Sequence, residues 1–366
     1  MISLRAYDAI VIGGGPAGLP AAIELASCGA KVAMIDREDR LGGQLTKQTH
    51  MFFGSQSQRA GTRGVDIAGI LAKEALEKGV EVYLGATVLG YYDDRVIAVE
   101  KDERFIKMKA TAYVVATGAS EKMLAFPNND LPGVYGAGAI QTLMNVHGVM
   151  PGKRALMVGA GNIGLIISYQ LVQAGVEVAA IVEAAPRIGG YWVHASKVRR
   201  LGIPVLTSHT VTQVHGTDAV ERVTVARVDD SWSPVPGTER DFDVDVVGLA
   251  VGLSPLTELL WQAGCAMRFV PALGGHVPVR NENLETSVDG LFVAGDVAGV
   301  EEASSAMLEG RLAGLAAALK LGRGSVTGVM KAMEEARLEL ESLRAGPVGD
   351  KIRKGLEALA REAMAS

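Results

Sequence analysis

Residues 8–18 read DAIVIGGGPAG, a β-branched run that leads directly into a Gly-x-Gly-x-x-Gly loop at 13–18. An amphipathic segment at 17–27 follows, so we predict a strand, a glycine turn and a helix in that order. In such a loop the first glycine makes a tight turn, the second lets the backbone approach a pyrophosphate, and the third permits close packing of helix on strand. Asp36 ends the next β-rich run, where its carboxylate can accept hydrogen bonds from ribose hydroxyls. The stretch therefore predicts a dinucleotide-binding fold.

A second loop of the same kind lies near the middle of the chain, where residues 155–164 read ALMVGAGNIG. It opens another helical pattern at 163–173, and Glu183 ends the following β-rich run. Because 45 of the 366 residues are glycine, one loop alone would be weak evidence. Strand, loop, helix and acid recur here in the same order, so we predict two bound dinucleotides.

The composition describes a globular chain that binds small molecules. Its residues are 48% hydrophobic, enough for two or three domains with their own cores. A net charge of −5 with no long Lys/Arg run argues against nucleic acid and anionic membranes as partners, and no apolar run is long enough to span a bilayer. The two cysteines, Cys28 and Cys265, lie far apart and predict neither a disulfide framework nor a metal site. We therefore expect a reduced, cytoplasmic protein.

The two halves of the chain share one architecture. After its helix, each half continues through short β-rich segments and closes on a strand that ends in glycine, at Gly118 in the first half and Gly252 in the second. In the first half we expect two separate β-rich segments, at 105–109 and 113–118. An open α/β sheet with an added antiparallel layer follows from this pattern.

A later strand at 290–296 and a helix at 302–320 have no glycine loop of their own, so we expect them to return to the first domain. The predicted fold class is α/β, with two Rossmann-like dinucleotide-binding domains, the second inserted into the first, and a helical C-terminal tail. The predicted domains are 1–118 with 253–322, 119–252, and the tail 323–366.

The tail is rich in Ala, Leu, Glu, Lys and Arg and has helical spacing. Val329, Met333, Leu338 and Leu343 are predicted to form one apolar face, and a break is expected near Gly346. Intramolecular packing, dimerisation, covering of a cofactor and docking of a partner all fit such a tail.

The ordered motifs resemble the FAD/NAD(P)-linked oxidoreductases with two dinucleotide-binding domains, the family that includes thioredoxin reductase. The resemblance covers about residues 6–322. Its motifs are Gly13 to Gly18 with Asp36, Gly42-Gly43-Gln44-Leu45, Ala116-Thr117-Gly118, the second loop with Glu183, and Ala294-Gly295-Asp296. The resemblance implies that the first loop holds FAD, that the second holds NAD(H) as co-substrate, and that Asp296 bonds the ribityl-phosphate region of the flavin.

Within this family the chain is most similar to the FAD/NAD subunits of sarcosine and opine oxidases, hydrogen cyanide synthase B and dye-linked proline dehydrogenase. Three segments carry that likeness: Lys47 to Gly54, Glu183 to Gly190, and Glu309 to Gly314. Several of those relatives carry an iron–sulfur-binding cysteine cluster, and this sequence has none. Any cluster relay would therefore belong to another subunit.

The resemblance implies a set of cofactor contacts. For FAD they are Gly13, Gly15, Pro16, Ala17, Gly18, Asp36, Arg37, Gly43, Gln44, Leu45, Thr46, Val88, Ala116, Thr117, Gly118, Gly295, Asp296 and Ala303. For NAD they are Gly159, Gly161, Asn162, Ile163, Gly164 and Glu183. Glu183 favours NADH, because a carboxylate there accepts from the 2′-hydroxyl of NAD and repels the 2′-phosphate of NADP. Arg187, four residues on, softens that preference.

Two residues are candidates for a catalytic role. His50 is either a proton shuttle to the flavin or acceptor, or a packing residue. Glu302 either bonds the flavin or caps the helix that begins beside it. The N-terminus of that helix can stabilise the negative charge of a reduced flavin.

The cysteine count decides the largest functional branch, because disulfide reduction needs one thiolate beside the flavin and a second thiol to resolve the mixed disulfide. Without a Cys-x-x-Cys pair, thioredoxin reduction is excluded and hydride transfer remains. Our first hypothesis is an FAD-dependent, NAD(H)-linked oxidoreductase with a small acceptor or donor. The alternatives are an electron-transfer subunit of a hetero-oligomeric amine or amino-acid dehydrogenase, a ferredoxin reductase, and a non-enzymatic nucleotide-binding module. A homo- or hetero-oligomer is expected.

Overall fold

The computed structural model describes residues 4–53 and 59–363 of the chain, so the motif residue Gly54 lies outside the described ranges. The chain divides into two compact units. Unit 1 comprises residues 1–120 and 253–366, and unit 2 comprises residues 121–252. Among the described residues, no helix is both long enough and apolar enough to cross a bilayer.

In each unit a strand, a helix and a second strand come first and are followed later by a run of strands. The first segment of unit 1 contains β1 (Leu4–Ile12), α1 (Gly18–Ser27), β2 (Val32–Ile35), α2 (Gly64–Glu77), β3 (Glu81–Tyr83), β4 (Ala86–Tyr91), β5 (Val96–Lys101), β6 (Arg104–Val115) and β7 (Ala119–Glu121). The last residue of β7, Glu121, is the first residue of unit 2. Unit 2 continues with β8 (Val134–Gly136), α3 (Ala137–Asn145), β9 (Arg154–Val158), α4 (Asn162–Gln173), β10 (Glu177–Glu183), α5 (Trp192–Arg200), β11 (Val205–Thr207), β12 (His209–His215), β13 (Arg222–Arg227), β14 (Arg240–Asp243) and β15 (Val246–Leu249). Unit 1 resumes with β16 (Leu253–Pro255), α6 (Glu258–Gln262), β17 (Met267–Val270), β18 (Gly275–Pro278), β19 (Leu291–Val293), α7 (Ala303–Lys320), α8 (Val326–Leu343) and α9 (Gly346–Ala363).

The described part of unit 1 is built on a seven-stranded sheet in the order β3-β2-β1-β6-β5-β4, with β19 also paired to β6. Strands β1, β2, β3, β6 and β19 are parallel, and β4 and β5 form the antiparallel extension. Both faces of the parallel strands are covered, which explains their almost continuous apolar sequences. The dinucleotide loop therefore leaves the carboxyl end of β1, in the middle of this sheet.

β6 is longer than the sequence pattern predicts. The separate segments expected at 105–109 and 113–118 form one continuous strand that ends earlier, Arg104–Val115, which corrects that prediction. The first part of β6 pairs with β5 and its last three residues pair with β19, so two strands share one edge in succession. Lys107 and Lys109 lie at exposed positions that alternate with buried ones, as in a strand with one covered face.

Unit 2 repeats the central pattern of unit 1. Its parallel sheet has the order β11-β10-β9-β15-β8, and a separate antiparallel sheet contains β12, β13 and β14. Helices α3, α4 and α5 pack on one face, and the antiparallel sheet contributes to the core on the other. The second loop leaves the carboxyl end of β9, as the first leaves β1.

The tail is helical and belongs to unit 1. Within α8 the buried positions are Val329, Met333, Ala336 and Leu340, whereas Leu338 is 57% exposed. The predicted apolar face is therefore wrong at Leu338. The buried stripe continues through Ala336 instead, and the prediction, which used only large apolar side chains, did not include this small residue.

Candidate dinucleotide-binding sites

The first loop has the close backbone approaches that its glycines were expected to allow. Gly13 has a φ of +104°, and a Cβ placed there would lie 2.3 Å from the carbonyl oxygen of Ala116. A Cβ on Gly18 would lie 1.7 Å from the carbonyl oxygen of Gly13. At Gly15 the nearest atom to such a Cβ is 3.8 Å away, so this side of the loop is open. The backbone is thus tight where it packs and open where a pyrophosphate would approach.

Asp36 holds the shape of this loop. Its Oδ2 accepts the N–H of Gly14 at 2.6 Å, and its Oδ1 accepts the N–H of Glu38 at 2.9 Å. The carboxylate is almost buried, with 9% of the residue exposed. Each carboxylate oxygen has two lone pairs, so capacity remains for a ribose hydroxyl.

The second loop has the same geometry in unit 2. Gly159 has a φ of +103°, and its Cβ would lie 2.3 Å from the carbonyl oxygen of Ala250. A Cβ on Gly164 would lie 2.0 Å from the carbonyl oxygen of Gly159, whereas no described atom lies within 4 Å of one on Gly161. Asn162 and Ile163 begin α4 directly after this open position, so the unpaired N–H groups of the first helical turn lie beside it.

Glu183 plays the part that Asp36 plays in unit 1. Its Oε2 accepts the N–H of Ala160 at 2.7 Å, and its Oε1 accepts the N–H of Ala185 at 2.9 Å. Ala160 is the residue between the first two glycines, as Gly14 is in the first loop. Arg187 is exposed.

Both strand-end acids are followed by a segment that returns to its loop. The N–H of Gly42 donates to the carbonyl of Gly14 at 2.8 Å, and the N–H of Gly190 donates to the carbonyl of Ala160 at 2.9 Å. Sequence reasoning missed that the two segments match: Asp36-x-x-x-Arg-Leu-Gly-Gly and Glu183-x-x-x-Arg-Ile-Gly-Gly have identical spacing. This repeat is the signal that would have extended the two loop motifs.

The segment after Gly42 forms a 3₁₀ helix, Gly43–Lys47, in which the Thr46 hydroxyl donates to the Gly43 carbonyl at 2.8 Å. Gln44 is exposed and Thr46 is half-buried, so both remain predicted FAD contacts. Leu45 has no exposed surface and packs in the core beneath the helices. The Leu45 side chain points inward, so a contact of Leu45 with FAD stays a prediction that only its backbone could fulfil.

The remaining FAD candidates of unit 1 lie on several elements. Pro16 and Ala17 lead into α1, Arg37 is exposed directly after Asp36, and Val88 is half-buried on β4. Ala116, Thr117 and Gly118 follow β6, where Ala116 donates its N–H to Ile12, and Thr117 donates its hydroxyl to Leu256. The chain segment after β6 therefore lies against the first loop. This is expected, because the carboxyl ends of neighbouring parallel strands meet at the same edge of the sheet.

Gly295 and Asp296 begin a 3₁₀ helix directly after β19. The N–H of Gly295 donates to Glu309 Oε2 at 2.9 Å, and Asp296 Oδ1 accepts the N–H of Glu301 at 3.3 Å. Burial raises the pKa of Asp296 to about 7, and the negative charges of Glu309 and Glu301 add to this rise. A carboxyl with this pKa can offer or accept a hydrogen bond near neutral pH.

The two candidate catalytic residues occupy different settings. His50 is half-buried and stacks on Phe52, with ring centroids 5.6 Å apart and an interplanar angle of 21°. Glu302 is the exposed N-cap residue of α7, which begins at Ala303, and its side chain makes no capping hydrogen bond in the described structure. Glu302 thus occupies the capping position by its backbone, and the flavin contact stays a prediction.

Three charged residues near Gly295 were not among the candidate site residues selected from the sequence: Arg280, Glu309 and Arg344. Glu309 is 3% exposed and is the acidic residue of an otherwise Ala-, Gly- and Leu-rich helix. That isolated charge in a buried helix was a usable signal, since carboxylates are rarely buried without a specific partner. Arg344 follows α8 and gave no comparable signal.

The two cysteines lie in separate cores of unit 1. Cys28 is half-buried at the end of α1, and Cys265 is buried with its Sγ 3.5 Å from Thr286 Oγ1. Burial raises the pKa of both thiols, which keeps them protonated and unreactive near neutral pH.

Comparison with known proteins decides the family. The family model for pyridine nucleotide-disulphide oxidoreductases matches residues 7–310. The chain belongs to this family. The family is one of FAD-dependent oxidoreductases, so the predicted cofactor FAD, the pyridine-nucleotide co-substrate and the predicted enzyme class are confirmed at the level of the family. The open glycines and strand-end acids described above fit both nucleotides.

Individual relatives agree with the predicted resemblance. One of the subunits of the opine oxidase of Agrobacterium tumefaciens (strain Ach5) is 30% identical over 330 residues, which cover 85% of this chain and 65% of that protein. The crystal structure of L-proline dehydrogenase from P. horikoshii matches with a TM-score of 0.69 and 26% identity over 92% of this chain and 60% of that one. Thioredoxin reductase of T. acidophilum matches with a TM-score of 0.71 and 23% identity, covering 86% of this chain and 99% of that one. These findings confirm the predicted fold class, and the chain spans 65% of the length of the opine oxidase subunit.

Proposed function

We propose that the chain is an FAD-dependent oxidoreductase that exchanges hydride with NAD(H) and passes electrons to, or takes them from, a second small molecule. The observation that carries the proposal is the pair of loops in which a strand-end acid binds the loop's own N–H group. We assign FAD to the loop of unit 1 and NAD(H) to the loop of unit 2. The bound flavin would supply the redox chemistry, and the protein would bind and orient both nucleotides.

The cysteines argue against the disulfide chemistry in the family's name. The sequence has two cysteines in all, and both are thiols within separate cores of unit 1. A flavin cannot reduce a disulfide through them, because the reaction needs a resolving thiol beside the attacking one. The electrons are therefore proposed to reach a small acceptor, such as a quinone-like compound, directly from the flavin.

NADH is the proposed nicotinamide. The Glu183 carboxylate is held by two backbone N–H groups at the end of β10, where it can accept from a ribose 2′-hydroxyl. The negative charge would repel a 2′-phosphate, and the exposed Arg187 would weaken that discrimination.

A second candidate function is an electron-transfer subunit of a hetero-oligomeric amine or amino-acid dehydrogenase. It is favoured by the relatives, since the opine oxidase protein is by its name one subunit of an enzyme. In that case a partner chain would oxidise the substrate, and this chain would accept its electrons. We propose a cytoplasmic location for either function, where free thiols persist.

The deciding experiment is an anaerobic titration of the purified protein, followed by visible spectroscopy. Bleaching of a bound flavin band by NADH, with slower bleaching by NADPH, supports the first function. Bleaching by an amino acid or amine in the presence of a copurified flavoprotein, with no response to NADH, supports the second. A colourless protein that cannot be reconstituted with FAD contradicts both.

A further inference from the structure

A buried cluster of charged side chains lies behind the Gly295-Asp296 turn. Its members come from four places in the chain of unit 1: the loop after β18, the turn after β19, helix α7 with the residues before it, and the first residue after α8. They are Arg280, Asp296, Glu301, Glu309 and Arg344. The last of them lies beyond residue 310, where the family match ends.

Arg344 makes the central contacts of this cluster. Its Nη2 lies 2.5 Å from Glu301 Oε1 and 2.6 Å from Glu309 Oε1, and its Nε lies 3.0 Å from Glu301 Oε2. The side chains are almost excluded from solvent, at 13% exposure for Arg344, 8% for Glu301 and 3% for Glu309. Such short, charge-assisted and partly bidentate bonds fix the geometry of both carboxylates.

Each of the two glutamates is bonded in turn to the turn after β19. Glu309 uses its other oxygen, Oε2, to accept the N–H of Gly295 at 2.9 Å. The backbone N–H of Glu301 donates to Asp296 Oδ1 at 3.3 Å. Arg344 is therefore one side chain away from both residues of the turn, although it contacts neither.

The charge balance makes Arg344 necessary. With three carboxylates and two guanidinium groups, the cluster has at most one excess negative charge. Arg280 donates to the carbonyl of Ala298 at 2.6 Å, so its guanidinium also fixes the backbone after the turn. Without Arg344, two buried carboxylates would lose their cation, and a buried charge without its partner is strongly destabilising.

We propose that Arg344, supplied by the C-terminal tail, is a positioning residue for FAD: through Glu301 and Glu309 it holds the Gly295-Asp296 turn in the conformation that binds the flavin nucleotide. The inference rests on the assignment of FAD to unit 1. It gives the tail a role in cofactor retention that a structure ending at α7 could not provide.

The test compares variants of the whole chain by their FAD dissociation constants and by thermal unfolding of the apoproteins. Arg344→Met should weaken FAD binding about ten-fold or more, since a buried ion-pair partner is lost. Arg344→Lys keeps the positive charge but loses the bidentate guanidinium geometry, so its affinity for FAD should lie between those of the wild type and Arg344→Met. The matched control is Arg337→Met on α8, whose guanidinium contacts Asn283 and Glu334 instead; its FAD affinity should equal that of the wild type.

A double variant separates positioning from general stability. Glu301→Gln added to Arg344→Met removes one of the two buried carboxylates that have lost Arg344. The apoprotein of the double variant should therefore melt at a higher temperature than that of Arg344→Met. Because Glu309 still lacks Arg344, FAD should remain weakly bound. Recovery of FAD affinity together with stability in the double variant would overturn the proposal, as would unchanged affinity in Arg344→Met. Failure of the wild type to bind FAD is a different outcome, because it removes the assignment of FAD to unit 1 as well.

Discussion

Each strand-end acid does two things with one carboxylate. One part of its hydrogen-bonding capacity holds the N–H of the loop residue between two glycines, at Gly14 for Asp36 and at Ala160 for Glu183. The remaining capacity is available to a ribose hydroxyl. An amide side chain at either position could satisfy the loop N–H through its oxygen, but it would bring no negative charge to the ribose.

Glu183→Gln tests these two roles of the carboxylate, holding the loop and binding the ribose, in unit 2. We expect the ratio of kcat/KM for NADH to that for NADPH to fall about ten-fold, because a charge-assisted bond to the 2′-hydroxyl and the repulsion of a 2′-phosphate are both lost. Steady-state kinetics with the two nucleotides measure it. Glu177→Gln, at the exposed start of the same strand, is the control and should leave the ratio unchanged. An unchanged ratio in Glu183→Gln would contradict the proposed choice of NADH.

His194 gives unit 2 a pH-dependent stability. The side chain is 4% exposed and stacks on Tyr169, with Lys197 placed over the tyrosine ring. Burial, together with the Lys197 charge, lowers the pKa of His194 to about 4 from its usual value of 6.5. Between these values the unfolded chain binds more protons than the native one, so the free energy of unfolding falls as pH is lowered through this window.

His194→Phe should remove that dependence. In the wild type the loss between pH 6.5 and pH 4 should reach about 3 kcal/mol, since each pKa unit corresponds to about 1.4 kcal/mol. Urea unfolding at a series of pH values measures the slope. The exposed His147 supplies the control His147→Phe, which should keep the wild-type slope. Equal slopes in all three proteins would show that His194 is not the titrating group.

Helices α1 and α7 approach each other closely beside the first loop. A Cβ on Gly310 would lie 1.9 Å from the carbonyl oxygen of Ala17, and one on Gly314 would lie 2.4 Å from that of Ala21. Arg311, between them, donates to Glu24 on α1 at 2.9 Å. The segment Glu309 to Gly314 therefore docks the returning helix against the helix that begins at the loop.

Gly310→Ala should push α7 away from α1. We expect a loss of about 1–3 kcal/mol in the free energy of unfolding, as for other overpacked cores, and weaker retention of FAD. The control is Gly328→Ala on α8, where the nearest atom to the new Cβ is 3.6 Å away and helix propensity should raise stability slightly. Denaturant unfolding and the flavin content of the purified proteins test both variants; wild-type values for Gly310→Ala would refute the packing argument.

The loop motifs could be predicted because their residues are close together in the sequence. Contacts between residues that are distant in the sequence could not be predicted. The hydrogen bonds between the strand-end acids and the loops join residues 22 and 23 positions apart, and spacing alone located these motifs. The motif did not show that the Leu45 side chain is buried, because a motif does not show which way each residue of a 3₁₀ helix points. The pairing of Arg344 with Glu309 joins residues 35 apart through tertiary packing, for which a single sequence has no pattern.

Each of the two units has its own core. In unit 2 the N–H of Lys122 donates to the carbonyl of Gly252 at 2.9 Å, so the chain enters and leaves this unit at one place. Two hydrophobic clusters cover the faces of its parallel sheet. A unit with adjacent ends and a complete core has what an autonomous domain requires.

Residues 121–252 should therefore fold when expressed alone. We expect a cooperative unfolding transition and binding of NADH, measured by circular dichroism and calorimetry. Gly164→Val in the same fragment is the control, since its side chain would collide with the Gly159 carbonyl and should abolish binding. A fragment that remains unfolded would show that unit 2 depends on the rest of the chain.

The hydrogen bonds from Gly14 and Ala160 to the strand-end acids have a kinetic consequence. The protein's own hydrogen bonds fix the backbone of each loop, so we expect an arriving nucleotide to have little of the loop to order. Association of NADH with the wild type should then follow a single exponential in stopped-flow fluorescence, with a rate proportional to concentration. Different nucleotides should then differ mainly in their dissociation rate constants.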